Sequence, residues 1–192
     1  MADASDRKTP LQTAPVTVIG YHGCSQESAD RILEEDRFLL STKSYDWLGE
    51  GVYFWEYAPY RAREWAIQKC THDGGEPAVI QATIRLGRCL NLLDIEQIPE
   101  LVRIYKSFLE TLGRAQLPRN TEHGAHFLDR FIIDAHCRSM ERRTANRLQS
   151  VRGSFAEGDP IYPGSKILAK THAQIAVRDP ACILRASLVQ FH

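Results

Sequence analysis

Three spaced features of this chain carry residue types that could do chemistry: Tyr21-His22-Gly23, the run from Asp46 through Gly49-Glu50-Gly51-Val52-Tyr53-Phe54-Trp55 to Glu56, and Gln174 late in the chain. In the middle run two glycines bracket one acid, and a β-branched residue and three aromatics follow at once. This predicts a tight backbone approach entering a short strand. Such a loop can press backbone amides and ring faces onto one flat ligand. The same pattern suits a hairpin turn entering a packed core strand, because aromatics are commonly core residues. His22 follows the β-branched and aromatic run 16–21 and is expected at a strand end, where Gly23 permits a sharp change of direction. A lone histidine there also reads as a satisfied structural residue, and Gln174 as an exposed strand residue.

The elements that must position these residues follow from periodicity and breakers. Residues 1–14 mix polar residues and proline without pattern and are expected to be a disordered lead-in to a single domain over 15–192. Ser25 caps a short helix carrying Ala29, Ile32 and Leu33, which ends near Asp36. Pro59 opens a second helix with Ala62, Trp65, Ala66 and Cys70 on one face, and the alternation over 78–86 predicts a half-buried strand. Pro99 begins the strongest helix, whose stripe Leu101, Val102, Tyr105, Phe108, Leu109 and Leu112 reads as plain core, with Gly113 to end it. Phe127, Leu128, Phe131, Ile132 and Ala135 mark another helix. Beyond it Arg138, Arg142, Arg143, Arg147 and Arg152 form a local positive stretch, a solvated face or else a site for an acidic or phosphate-bearing partner. Glycines and prolines over 153–165 predict a long loop holding Glu157, Asp159 and Tyr162. The alternation over 172–178 puts Ala173, Ile175 and Val177 on a core face and Gln174 away from it, and a last strand covers 183–189.

With 43% hydrophobic and 25% charged residues in 192, the composition is that of one globular domain. Lys+Arg and Asp+Glu balance at 24 each, so no global field favours nucleic acid or a membrane. Five well-separated cysteines without a Cys-x-x-Cys speak against a disulfide framework and against a zinc site, and no metal is expected. No stretch has signal-peptide or membrane-spanning character, so a cytoplasmic protein is expected.

Taken together, the His-Gly, the Gly-x-Gly-hydrophobic-Tyr-Phe about thirty residues later and the polar residue on a late strand resemble the poly(ADP-ribose) polymerase type of ADP-ribosyltransferase. The resemblance runs through residues 21–66, and does not extend over 90–152. It implies an α+β fold of two packed, mostly antiparallel sheets that form an NAD cleft surrounded by helices. It also implies NAD as co-substrate, with His22 bonding the adenine-side ribose and the Gly23 backbone holding the nicotinamide carboxamide. Tyr53 would stack on the nicotinamide, with Trp65 the nearest candidate for a second stacking ring. Ser41 and Gly51 complete the implied cofactor contacts, and His22, Tyr53 and Gln174 the catalytic set.

Gln174 departs from the family's usual glutamate, making a His-Tyr-Gln variant. When nicotinamide leaves, positive charge develops on the ribose, as in glycoside cleavage. Gln keeps a hydrogen bond there and lacks the charge, at a cost of about 2–4 kcal/mol of transition-state stabilisation. Glu157 and Glu56 are the acids placed to compensate. The resemblance implies transfer of a single ADP-ribose to a macromolecular acceptor, protein or nucleic acid, in the manner of small bacterial toxins of toxin–antitoxin or phage-defence systems, with an antitoxin as a further partner. Two other readings are a non-catalytic module binding NAD or ADP-ribose, and an NAD glycohydrolase.

Overall fold

In the computed structural model, which describes residues 16–121 and 125–191, the first β-branched run forms strand β1 (Thr17–Ser25). The lead-in expected over 1–14 lies outside the described residues. Ser25 ends the strand and caps helix α1 (Gln26–Glu35): its hydroxyl oxygen accepts from the Ser28 amide at 3.3 Å, and Asp36 closes the helix in the left-handed conformation. The chain continues through β2 (Val52–Glu56), α2 (Pro59–Asp73), β3 (Pro77–Arg85), β4 (Cys89–Asn91), α3 (Ile98–Leu112) and α4 (Phe127–Thr144). Strands β5 (Ser150–Phe155), β6 (His172–Val177) and β7 (Ile183–Leu188) complete it.

The architecture is α+β. The seven strands join in one sheet, ordered β4-β5-β6-β2-β1-β3-β7, antiparallel throughout except between β4 and β5. Two packed, mostly antiparallel sheets were expected, whereas hydrogen bonding joins the described strands into one mixed sheet. The union is narrow at one place. Strands β1 and β3 pair at nine positions and β2 and β6 at five, whereas β1 and β2 pair only at Gly20 with Glu56 and Tyr21 with Trp55.

Residues paired across antiparallel strands share a face. One face carries Val18, Val52, Phe54, Ile80, Ile84, Ile175 and Val177, covered by Ala29 and Ile32 of α1 and by Phe38. On the other, Ala62 of α2 covers Trp55 and Val79, and Ile133 and Cys137 of α4 cover Val151 and Ala176. Because helices cover both faces, the strands at the centre are apolar on both sides. Gln174 therefore does not point to solvent: it is 8% exposed, beneath the α2 and α4 layer.

Three further expectations change. Residues 150–155, read partly as loop, form the interior strand β5, and Gly153 fits there because a Cβ would come within 3.0 Å of Leu48 Cδ2; the loop is 156–171. The α3 stripe is not core: no α3 residue is buried, since α3 leans chiefly on α4, with Phe108 and Phe131 at 4.9 Å, and leaves Val102 and Leu112 exposed. The arginine stretch is no continuous patch either. Arg138 and Arg142 are solvated on α4, while Arg143 pairs with Glu100, Arg147 donates to the Arg178 carbonyl and Arg152 pairs with Glu56. All five cysteines are free thiols.

Candidate functional site

The short β1–β2 pairing makes a fork. The Ile19 carbonyl accepts from the Tyr57 amide at 3.0 Å, so at strand period two Tyr21 and Gly23 also turn their N–H and C=O toward β2. Beyond Tyr21 strand β1 is no longer paired with β2, and the Gly23 amide and carbonyl face the opening. From the other prong comes the Tyr53 carbonyl, 2.9 Å from His22 Nδ1. A carbonyl only accepts, so Nδ1 carries the proton and donates. Burial holds the His22 pKa below the ordinary value, outweighing that bond, with Lys69 acting in the same direction as burial. The ring is thus neutral at pH 7, with a bare lone pair on Nε2.

His22 is not at the end of its strand, as its sequence suggested: β1 pairs with β3 as far as Ser25, and what ends at Tyr21 is pairing with β2. The ring packs against Phe38, edge-on at 5.8 Å, and Phe54 at 5.7 Å, which also touch each other at 5.5 Å. Gly23 has its own reason to be glycine. Helix α2 crosses so close that a Cβ would lie 2.2 Å from the Ala62 carbonyl oxygen.

The glycine loop before β2 is held from three directions. Ser41 and Gly51 exchange backbone bonds of 2.9 and 3.1 Å, and the Ser41 hydroxyl donates to Asp46 at 2.7 Å. Tyr53 reaches back with its hydroxyl, donating to the Gly49 carbonyl at 2.7 Å and accepting from the Leu48 amide at 2.9 Å. Burial pushes that phenol's pKa up, so it remains a donor. The third hold is one that the sequence reading missed. Asp134 of α4 accepts from the Glu50 amide at 3.2 Å and from Arg178 Nη1 at 3.1 Å, and Arg178 also donates to the Glu50 carbonyl at 3.1 Å. Gly49, at φ 82°, passes so near that a Cβ would meet Asp134 Oδ1 at 2.5 Å. One charge of each sign, Asp134 between Ile133 and Ala135 and Arg178 directly after β6, was the available signal.

Gln174 lies in a row with Trp55 and Tyr21 on one side and Gly153 on the other. Its Nε2 is 3.0 Å from His172 Nε2, and His172 Nδ1 is 2.7 Å from the Lys170 carbonyl oxygen. A series of rings crosses this face: Trp47 to Phe155 at 4.2 Å, Phe155 to His172 at 5.8 Å, His172 to Trp55 at 6.4 Å and Trp55 to Trp65 at 6.0 Å. Trp65 is 41% exposed, whereas Trp55 is buried and its indole N–H has no partner among the described residues. At the rim Arg61 bonds Glu157 at 2.6 Å and also pairs with Glu64, which pairs with Lys170. The Lys170 and Arg61 contacts lower the Glu64 pKa against its partial burial.

The structure therefore brings Gly23, Tyr53 and Gln174 to one face, Gly23 below α2 and Tyr53 on the α4 side, and His22 to the other, the two meeting at the fork. Ser41 and Gly51 lie at the start of β2 and shape the loop. Of the two acids expected to compensate for Gln174, Glu56 is on the opposite face, held by Arg152 through bonds of 2.6 and 2.8 Å, and is out of reach of it. Glu157 is on the Gln174 side, bonded to Arg61. Two cavities, of about 540 and 370 Å³, run along α3 and contain none of the expected site residues.

No family model matches the chain, and no solved structure matches it. A stretch of 49 residues, 26% of the chain, is 40% identical to an uncharacterized protein of Methanocaldococcus jannaschii, and spans 22% of that protein. Among the described residues no helix is long and apolar enough to cross a membrane.

Proposed function

We propose that this chain is an NAD-dependent mono-ADP-ribosyltransferase of the poly(ADP-ribose) polymerase type, with its nicotinamide site at the β1–β2 fork. The observation that carries the reading is the Gly23 backbone. Its N–H and C=O face an opening between strands and form an adjacent donor and acceptor, the complement of a primary carboxamide. Next to it, neutral His22 offers Nε2 to a ribose hydroxyl, and Tyr53 lines the opposite prong.

In this reading the bond between the nicotinamide nitrogen and ribose C1′ breaks, and nicotinamide departs with the bonding pair. An acceptor nucleophile then bonds to C1′ and gives up a proton. The ribose cation between these events meets an uncharged Gln174, and the nearby carboxylates of Glu157 and Glu64 are already engaged by Arg61 and Lys170. Slow turnover follows. That same engagement favours a second reading, a module that binds NAD without cleaving it. A neutralising protein made alongside a toxin of this type is the partner to seek.

Incubation with NAD labelled on the adenylate phosphate, together with cell lysate, separates the outcomes. Label on a macromolecule with nicotinamide release, both abolished by His22→Ala in a folded variant, supports transfer. Free labelled ADP-ribose alone means a glycohydrolase. Saturable NAD binding without turnover means a binding module, and absence of binding rejects all three.

A further inference from the structure

His172 stands two residues before Gln174 on the same face of β6, buried between Phe155 and Trp55. Its Nδ1 faces the Lys170 carbonyl oxygen at 2.7 Å, which requires the ring proton on Nδ1. A neutral imidazole with its proton there has only a lone pair on Nε2. Gln174 Nε2 meets that lone pair at 3.0 Å, so the carboxamide donates an N–H to His172. Turning the amide over would set two acceptors face to face. An isolated glutamine side chain has no such preference, because its two ends have nearly the same shape.

Resting on the transferase reading of this same site, we propose that His172 is a positioning residue: it locks the Gln174 carboxamide with Oε1 turned away from the imidazole, toward the bound ribose. A neutral side chain then presents the hydroxyl acceptor that a carboxylate would present, with its orientation set by the series Lys170 carbonyl, His172, Gln174. The lock depends on protonation. An imidazolium has N–H on both nitrogens, so a second proton on His172 makes Nε2 a donor, turns the amide and points its NH₂ at the substrate. The charged groups around His172 act in both directions. Glu157 on the loop favours the second proton and Arg61 on α2 opposes it; Arg61 is itself paired with Glu157 and Glu64, and Lys170 Nζ is paired with Glu64. Trp55 and Phe155 contribute no charge. Burial is the largest influence and keeps the pKa below the ordinary histidine value, as the lock requires at neutral pH.

Two measurements test this. Long-range proton–nitrogen NMR of the free protein reads the ring nitrogens of His172 and the side-chain amide of Gln174 between pH 5 and 8. The expected result is the Nδ1–H tautomer at neutral pH, converting to imidazolium below the ordinary histidine pKa, with the Gln174 amide signals moving at the same midpoint. The second is nicotinamide release from NAD against pH, for the wild type and for His172→Phe, which keeps a buried ring in place. His22 also loses its acceptor when protonated, so the wild-type acid limb should fall with the combined titration of both histidines. His172→Phe should retain only the His22 component, with kcat about tenfold lower, the worth of one strong hydrogen bond, and KM little changed. An Nε2–H tautomer, a Gln174 amide indifferent to the His172 titration, or a variant with unaltered kcat and acid limb would overturn the proposal. If the wild type releases no nicotinamide, the transferase reading falls, while the NMR titration still decides whether His172 orients Gln174.

Discussion

Replacing Asp134 with alanine should be among the most damaging single changes in the protein. Asp134 and Arg178 have side chains 11% and 7% exposed, so both charges sit out of bulk water. Asp134 holds Arg178 at 3.1 Å, accepts from the Glu50 amide at 3.2 Å and approaches Arg130 at 3.4 Å. Among the described residues, removing it leaves the buried guanidinium with the Glu50 carbonyl alone, since Arg178 Nε already has no partner there. Breaking a buried pair by deleting one member costs about 3–5 kcal/mol, because the stranded charge keeps its desolvation penalty. Against a total stability of about 5–15 kcal/mol, that is roughly a fifth or more of what the fold has. Asp134→Asn keeps the shape and an acceptor for Glu50 and should lie between wild type and alanine. The Asp134→Asn/Arg178→Met double variant should cost, relative to wild type, at least about 1 kcal/mol less than the sum of the two single changes, the mark of a coupled pair. Urea unfolding at pH 7 with a shared m-value measures the four members of this cycle and Asp134→Ala. A loss below about 1 kcal/mol for Asp134→Ala, or strict additivity in the cycle, would refute the claim that this pair braces the Gly49–Gly51 loop.

Gly23→Ala should destabilise by about 3 kcal/mol, the upper end for overpacking, because the added carbon meets the α2 backbone at 2.2 Å; Gly153→Ala, which meets only a flexible Leu48 methyl at 3.0 Å, should stay within about 1 kcal/mol, and equal melting temperatures for the two would contradict the packing described. Stability should also decline on acidification below about pH 6.5: His22, His136 and His172 have folded pKa values lowered by burial, so between those values and 6.5 the unfolded chain binds more protons than the folded one. Each contributes up to about 1.4 kcal/mol per pH unit across its own window and nothing above it. Asp46, whose carboxyl is raised by burial, acts with the opposite sign in a window that begins near its ordinary 3.8. Urea midpoints between pH 7.5 and 5 that do not fall would contradict this assignment.

Elements with a strong local signal were readable from the sequence. Ser25 with its following stripe gave α1, Pro59 gave α2, and the alternation ahead of Leu86 gave β3, because capping, fixed φ and period-two burial are properties of a few adjacent residues. Strand β5 was lost because Gly153 reads locally as a breaker, and only Leu48, more than a hundred residues earlier, explains it. The α3 stripe misled for the converse reason: helical period shows that a face is apolar without showing that anything covers it. At the site, the glycines and aromatics near Tyr53 were visible as a cluster. The link between Gln174 and His172 was not, because i and i+2 placement puts two side chains on one face and leaves the direction of their hydrogen bond to the tautomer that Lys170 selects.

The fork between β1 and β2 has a mechanical consequence. Where strands are joined along their length, pulling them apart sideways loads many bonds at once and the sheet behaves as a stiff plate. Here the load falls on a short ligament, the Gly20–Glu56 and Tyr21–Trp55 pairs with the adjoining Tyr57 amide to Ile19 carbonyl bond, and the His22 to Tyr53 bond is set across the notch like a stitch. Widening the notch breaks that stitch first and the two backbone pairs afterwards, in order, while the β3 and β6 flanks stay intact. The width of that opening is thus tied to one imidazole, whose bond to the Tyr53 carbonyl spans it.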